Sequence, residues 1–304
     1  MKPLAQSDFV ADRGIAGRVA ARLVPAVRAT RGFFARRRKL AMAIASILFV
    51  GGLAWAVDSA GIALARIEGQ WLVAALALGF VGVILNGFEL SRCAGALGKK
   101  VPAPEAINLS SVGILSNLLP IPASALVRGG ALMATGATLA QSGRILLYVG
   151  LLRVSVAGAI TGLALISGPF GWPVVAGSCL ASAILFALIA QVGGIISALR
   201  LLGLRIAMLA GIAMQLWFCF HALGTDAGLS DAALQSIAPV VGSAVGIVPG
   251  GLGVSEAIGA ALALLVNGSS AMAFAALALN RLVGYACAGL TVLAFQARRA
   301  FIRK

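Results

Sequence analysis

Two charged residues within apolar parts of the chain have the types and spacing that could do chemistry. Arg128 follows Pro120 by eight residues in "NLLPIPASALVR" (117–128), and Glu256 follows Pro249 by seven in "VPGGLGVSEA" (248–257). An ionised side chain near the middle of a bilayer costs at least ~2.5–3.5 kcal/mol, so each must face water, a ligand or an opposite charge. A guanidinium can hold a phosphate oxygen, and a carboxylate can gate a pathway or take a proton.

The prolines and glycines before these charges predict breaks in helices. Proline lacks a backbone donor and ends a helix, while Gly250, Gly251 and Gly253 permit turns that other residues resist. Non-helical backbone at membrane depth is tolerated only inside protein or beside a wet cavity. The helix that starts after each break presents free N–H groups and a partial positive charge, so each break could bind an anion.

Two interpretations of Arg128 and Glu256 remain open at this stage. In the structural one, the two side chains form a buried pair that locks the breaks together, and Glu256 also caps its own helix. In the functional one, Arg128 holds a phosphate oxygen while Glu256 gates the site or takes a proton. The two interpretations are compatible if Arg128 and Glu256 pair with each other only when no ligand is bound.

Further polar residues fall within the apolar runs. Arg153 lies two turns deeper than Arg144 on a similar helix face, which makes it a candidate ligand. Arg144 and Arg281 lie near predicted helix ends, where arginine side chains reach towards headgroups. Glu89 is also a polar residue of an apolar run, and no function is predicted for it. The candidate binding residues are therefore Arg128, Glu256, Asn117, Pro120, Pro249, Gly250, Gly251, Gly253, Arg153, Arg144 and Arg281.

The composition indicates an integral membrane protein. Of 304 residues, 61% are hydrophobic and only 11% charged, whereas soluble domains are roughly half apolar and a quarter charged. The four cysteines and one histidine form no metal-binding pattern, so we expect no metal and no other cofactor. We find no nucleophile with an adjacent base and no clustered acid pair, so we expect no enzyme, and we expect no nucleic-acid partner.

Apolar runs near 20 residues long predict six membrane spans and an all-α polytopic fold. They lie at about 40–57, 71–91, 145–167, 173–192, 206–223 and 270–296. Two interrupted stretches, about 105–140 and 231–267, are predicted to be broken re-entrant helical hairpins. The loop charges fit the positive-inside rule, with the segment around Arg200 and Arg205 on the cytoplasmic side and the acidic segment 225–231 outside.

Basic residues at both ends complete the predicted organisation. Residues 1–39 hold ten lysines and arginines, and residues 298–304 hold four, which places both termini in the cytoplasm. Residues 1–39 form a basic segment that either lies on anionic lipid or only fixes the topology. Residues 40–297 form the transmembrane domain and 298–304 a basic cytoplasmic tail.

The two halves of the transmembrane domain resemble each other. The two proline breaks align at an offset of 129 residues, and Arg-x-x-x-Tyr occurs at Arg144 and again at Arg281. Such collinear matches predict repeats at about 40–167 and 173–297. Because each repeat holds three spans, an odd number, the second would be inverted relative to the first, which is a transporter arrangement.

The segment "VPGGLGVSEA" (248–257) resembles the Pro-Gly-Gly-x-Gly-x-x-Glu signature of flippase-like membrane proteins, a UPF0104-type family related to the transmembrane region of lysylphosphatidylglycerol synthases. "SNLLPIPASALVRGGAL" (116–132) is similar to that family's Asn-x-x-x-Pro…Arg segment. The resemblance covers about residues 40–297 and implies lipid translocation. An acidic residue often precedes the Arg144-like position in that family, and Gly143 stands here instead.

These features predict flipping or scrambling of an anionic phospholipid or a polyprenyl-linked lipid across a bacterial inner membrane. Two rivals remain open. The inverted repeat would equally suit a secondary transporter of a small polar solute. The chain could also be a non-catalytic accessory subunit whose partner is a lipid-modifying enzyme, namely a membrane glycosyl- or acyltransferase. In that case the two hairpins would pack together without water between them.

Overall fold

A computed structural model describes residues 46–47, 49–61, 67–118, 123–244 and 249–302 of the chain. Over these residues the protein is helical and has no strand. The predicted basic segment 1–39, the first residues of the predicted span 40–57, and Pro120 lie outside the described residues. The bounds of the helices are α1 Gly69–Ala96, α2 Ala103–Ser116, α3 Ala123–Ala134, α4 Leu139–Ala164, α5 Gly171–Gly193, α6 Ile195–Ala222, α7 Leu229–Gln235, α8 Ala238–Ala244, α9 Val254–Leu264 and α10 Ser270–Ile302.

Five of these helices, α1, α4, α5, α6 and α10, are long and apolar enough to cross a membrane. They coincide with five of the six predicted spans, and the sixth is described only in part, as helical at 49–59. Large apolar side chains such as Val73, Leu147 and Leu180 are exposed on their outer faces. Such surface suits lipid rather than water, so the chain is a multi-pass membrane protein.

The two interrupted stretches are broken into short helices, as the sequence predicts. In the first, α2 ends at Ser116 and α3 begins at Ala123. In the second, α7 and α8 lead to a 3₁₀ turn at Pro249–Gly251, after which α9 begins at Val254. Each set of short helices connects one long helix to the next: α2 and α3 lie between α1 and α4, and α7, α8 and α9 lie between α6 and α10.

The contacts between helices follow the same pattern in both halves. Helix α1 packs along α6, the matching long helix of the other half. Helix α2 packs against α10, and its counterpart α7 packs against α4. Likewise α1 contacts α10 and α6 contacts α4. Each broken stretch therefore packs against the last long helix of the opposite half, which interlocks the halves.

Within each broken stretch the two arms cross at a glycine and a serine. A side chain on Gly113 would come 3.3 Å from Ser124 Oγ, so α2 and α3 are close there. A side chain on Gly242 would lie 2.9 Å from Ser255 Cα and overlap that residue's Oγ, so α8 and α9 are closer still. Arg128 follows Ser124 by four residues and Glu256 follows Ser255 directly, so each crossing lies close to a charged residue.

The positions at which two helices start place Arg144 in the first turns of α4 and Arg205 well inside α6. Helix α4 begins with a capping box, in which the Gln141 N–H donates to the Thr138 hydroxyl and the Thr138 N–H donates to the Gln141 side chain. Helix α6 begins directly after Gly194, whose φ of 80° separates it from α5. Because α6 starts at Ile195 and not near 206, Arg205 lies inside a long helix and is 3% exposed.

Candidate functional site

Four charged side chains from four helices meet inside the bundle. We call Glu89 of α1, Arg128 of α3, Arg153 of α4 and Arg205 of α6 the arginine cluster. Glu89 is fully buried and Arg205 nearly so, whereas the Arg128 side chain keeps 15% of its surface. Helix α1 brings Glu89 opposite α6, and the crossing of α2 and α3 turns Arg128 towards α1.

Glu89 binds two of the three arginines. Arg128 Nη2 donates a short hydrogen bond to Glu89 Oε1 and a longer one, 3.3 Å, to the backbone oxygen of Asn86. Arg205 Nη2 lies 2.8 Å from Glu89 Oε2. The geometry of this second contact is not that of a hydrogen bond, so it is an ion pair only. Glu89 thus joins α3 to α6 through α1.

The arginine cluster has more positive than negative charge. Arg153 lies near enough to interact electrostatically with Glu89 and with both other arginines, which repel it. Among the described residues, no second carboxylate pairs with these arginines. Three guanidinium groups therefore face one carboxylate. The Nε atoms of Arg128 and Arg205 are buried and have no acceptor in the described part of the chain.

A second charged group, the glycine clamp, is formed by Arg281 of α10, Glu256 of α9, and Gly250, Gly251 and Gly253 of the second break. Arg281 Nε donates to Glu256 Oε1 at 2.7 Å. Its Nη1 and Nη2 donate to the backbone oxygens of Gly250 and Gly251 at 2.7 and 3.0 Å. Glu256 Oε2 accepts the Gly253 N–H at 2.8 Å. One cation faces one anion, so this group has no net charge. Its hydrogen bonds hold the backbone of the second break in place.

The second break lies against the end of the first. A side chain on Gly250 would come 3.2 Å from the backbone oxygen of Asn117 and 2.9 Å from the Tyr285 hydroxyl. Asn117 is the C-cap of α2, directly after its last residue. The backbone at the end of the first broken stretch therefore lies against the second break, although Pro120 itself lies outside the described residues.

Of the two interpretations that the sequence left open, the one that pairs Arg128 with Glu256 is wrong. Arg128 binds Glu89 of α1, and Glu256 binds Arg281 of α10, so each charged side chain finds its partner on a long helix. The prediction that Glu256 caps its own helix is confirmed by the hydrogen bond from Gly253. The three glycines of the break adopt φ values of 54°, 69° and 78°, as their predicted role requires.

Two other expectations about arginines are corrected. Arg281 does not extend towards headgroups, since its side chain is 11% exposed and holds the break. Arg205 is not a loop residue that sets topology, since it pairs with Glu89 inside the bundle. Arg144 is exposed on the first turns of α4, while Arg153, two turns further on, belongs to the arginine cluster. Pro249 opens the 3₁₀ turn.

Glu89 and Arg205 are the site residues that the sequence did not assign. Glu89 carried a usable signal, because it is a carboxylate inside the apolar run 71–91. Arg205 stands one residue before an apolar run, where its sequence position matches that of an ordinary flanking charge. Its role depends on where α6 begins, and that is set by Gly194.

Replacing Gly251 with alanine is expected to destabilise the protein strongly. The residue has φ 69°, where an alanine costs roughly 1–2 kcal/mol. An added β-carbon would also overlap the carbonyl group of Gly242, and overpacking adds about 1–3 kcal/mol. Thermal unfolding in detergent measures the effect. The matched control is Gly211→Ala in α6, where a β-carbon would meet nothing within 4 Å; equal melting temperatures for the two variants would contradict the assignment.

No protein-family model matches the chain, and a search of curated proteins finds no match either.

Proposed function

We propose that the protein moves an anionic lipid across the membrane, by flipping or scrambling an anionic phospholipid or a polyprenyl-linked lipid. The observation that carries this proposal is the arginine cluster. It places more cationic than anionic side chains inside the helix bundle, with two guanidinium donors left without acceptors in the described residues. A phosphate group would supply both the missing charge and the missing acceptor oxygens.

The chemistry favours phosphate over other anions. Guanidinium groups hold phosphate oxygens through several parallel N–H donors, and charge-assisted hydrogen bonds of this kind are strong. Arg128 retains 15% of its side-chain surface, so it is the most accessible of the three residues that the two ion pairs join. Since an uncompensated cation at membrane depth costs at least ~2.5–3.5 kcal/mol, binding an anion would recover part of this cost.

The fold supports movement of the bound group. In both halves a set of short helices joins two long ones, and this likeness, together with the reciprocal contacts between the halves, supports a pair of inverted repeats. In such proteins one repeat rocks against the other around a central site. The resemblance to flippase-like membrane proteins agrees with a lipid as the cargo. The basic ends of the chain agree with cytoplasmic termini in a bacterial inner membrane.

A second candidate, transport of a small soluble anion, rests on the same observation. The arginine cluster recognises phosphate chemistry and contains nothing specific for an acyl chain. The two functions differ in what crosses the membrane, so proteoliposomes assayed in parallel for headgroup exposure of labelled phosphatidylglycerol and for uptake of inorganic phosphate distinguish them.

Arg153 provides the sharpest test, because it has no hydrogen bond or ion pair among the described residues. Replacing it with glutamine removes repulsion from Arg128 and Arg205 and is expected to leave the empty protein as stable as before or more so. The same change should weaken phosphatidylglycerol binding roughly tenfold or more, since a hydrogen bond to a charged group is worth about 1.5–3 kcal/mol. Lipid-dependent thermal stabilisation and translocation of labelled phosphatidylglycerol measure the two effects.

The matched control is Arg200→Gln. Arg200 lies on the same helix as Arg205 and is exposed, so its loss should change neither quantity. If Arg153→Gln translocated and bound phosphatidylglycerol like the unaltered protein, the cluster would not be the anion site. A variant that lost stability without ligand would instead assign Arg153 a structural role.

A further inference from the structure

Helices α1 and α6 match each other residue by residue. Both hold 28 residues, and every buried residue of α1 has a buried counterpart 126 positions later in α6, as Ala96 has in Ala222. The two helices pack antiparallel. Gly193, just before α6, lies against Ala96, and the N–H of Glu68, just before α1, donates to the Ala222 backbone oxygen at 3.0 Å. These matches support a two-fold axis that exchanges α1 with α6.

This exchange relates the charged contact between α1 and α6 to an uncharged one. The counterpart of Glu89 is Gln215, and the counterpart of Arg205 is Gly79. A β-carbon on Gly79 would come 3.2 Å from Gln215 Nε2, so the equivalent contact is present. The same β-carbon would lie 2.8 Å from Cys287 Sγ of α10. We call Gly79, Gln215 and Cys287 the neutral contact, because none of the three side chains is charged.

The neutral contact lies between the arginine cluster and the exterior end of the bundle. Gly79 precedes Glu89 by ten residues, or about 15 Å along a helix. Gln215 lies seven residues before the end of α6, which leads into the acidic segment 225–231 that the loop charges place outside. The packing is tight, since a β-carbon on Gly79 would already crowd α10. Helices α1, α6 and α10 are therefore closed against one another on this side of the cluster.

Little polar bonding holds the neutral contact closed. Cys287 Sγ donates a weak hydrogen bond to the Leu76 backbone oxygen at 3.4 Å. Gln215 Nε2 is buried and has no acceptor among the described residues. A buried amide without a partner destabilises the closed contact, and opening relieves this because water can then reach the amide. The equivalent contact, by comparison, is held by the ion pair of Arg205 with Glu89.

We propose that the neutral contact is the exterior gate of the lipid path, closed in this structure, and that its opening sets the rate of translocation. The proposal rests on the proposed function, because it requires an anionic headgroup that leaves the arginine cluster. Rocking of one half against the other parts α1 from α10 at Gly79 and exposes the Gln215 amide. The gate contains no cation, so a phosphate group that passes it is not retained there.

Gly79→Cys tests the gate with a reversible lock. The 2.8 Å between a β-carbon at this position and Cys287 Sγ is close to the separation of roughly 3 Å that a disulfide bond imposes on these atoms. Oxidation by membrane-permeant copper phenanthroline in proteoliposomes should join the two sulfurs, as mass spectrometry can verify. Translocation of labelled phosphatidylglycerol should then fall to the rate of protein-free vesicles and recover with dithiothreitol. Stabilisation by phosphatidylglycerol should persist, because the arginine cluster is intact.

The matched control combines Gly79→Cys with Cys287→Ala, which leaves the new thiol without its partner, so oxidation should not change its rate. A locked protein that translocates as fast as the reduced one would overturn the gate. So would a failure of the cross-link to form, or a locked protein that phosphatidylglycerol no longer stabilises. An unaltered protein that neither binds nor translocates phosphatidylglycerol would instead contradict the proposed function.

Gln215→Leu tests the gate without relying on the cysteine variant to fold. It removes the unpaired amide from the closed contact, so the empty protein should be at least as stable and translocation roughly tenfold slower. Gln235→Leu is the control, because Gln235 is also buried with an unpaired side-chain atom but packs against Gly259 of α9. An unchanged rate in Gln215→Leu, equal slowing in both variants, or a lower melting temperature of Gln215→Leu without lipid would each overturn the proposal.

Discussion

Replacing Glu89 with glutamine is expected to be among the most damaging single changes in this protein. Glu89 is the only described carboxylate that pairs with Arg128 and Arg205, and all its surface is buried. Removing one partner of a buried ion pair costs about 3–5 kcal/mol, because the other charge is left uncompensated. Here two guanidinium groups lose their partner and a third, Arg153, loses an attraction. Thermal unfolding in detergent should show a large fall in melting temperature.

A double variant distinguishes the effect of losing the ion pair from the effect of leaving arginine charges without a carboxylate. Glu89→Leu combined with Arg205→Leu removes one charge of each sign, so the net charge of the arginine cluster stays as it is. Replacing a buried pair with apolar residues is often nearly neutral, so the double variant should be more stable than Glu89→Gln alone. Glu68→Gln, at an exposed glutamate, is the control. A double variant less stable than the single one would show that hydrogen bonding, not charge, makes Glu89 important.

The sequence predicted the breaks better than it predicted their partners. Proline and glycine act on the local backbone conformation, so their effects can be predicted from a few adjacent residues. The positive φ values at Gly250, Gly251 and Gly253 follow from this local chemistry. The hydrogen bond from Gly253 to Glu256 is equally local, since it spans three residues. Predictions of this kind need no knowledge of which helices become neighbours.

Charge pairing could not be predicted in the same way. The cost of burying Arg128 or Glu256 shows that each needs a partner but does not identify it. The partners lie 39 and 25 residues away in the chain, and choosing them requires the packing of α3 on α2, of α2 on α1, and of α9 on α10. One of the two interpretations drawn from the sequence paired Arg128 with Glu256, the charges that follow the two breaks. Instead, each half supplies an arginine and a glutamate of its own.

The two charged groups also differ in a way that composition cannot reveal. Both contain a buried glutamate in contact with arginine, and both lie near a break. In the glycine clamp all three guanidinium nitrogens of Arg281 donate hydrogen bonds, either to the Glu256 carboxylate or to backbone oxygens of the second break. In the arginine cluster, buried donors have no acceptor among the described residues. The difference predicts a structural role for the first group and ligand binding for the second.

Replacing Arg281 with methionine is therefore expected to collapse the second break and destabilise the protein, with no specific loss of lipid binding beyond the loss of fold. The change leaves Glu256 buried without a cation and removes donors from the oxygens of Gly250 and Gly251, at an expected cost of about 3–5 kcal/mol. Arg281→Lys should be intermediate, because one ammonium cannot match the flat array of donors that reaches three acceptor groups. Arg299→Met, exposed near the end of the same helix, is the control.

Lipid-dependent stabilisation distinguishes the clamp from the cluster. A ligand that binds the folded state raises stability by an amount set by its concentration and affinity. Adding phosphatidylglycerol should therefore raise the melting temperature of the unaltered protein and of Arg281→Lys by the same increment, although the two start from different temperatures. Arg153→Gln should start at or above the unaltered protein and gain little. The roles would be reversed if Arg281→Lys lost the increment and Arg153→Gln kept it, because Arg281 would then contact the lipid and Arg153 would not.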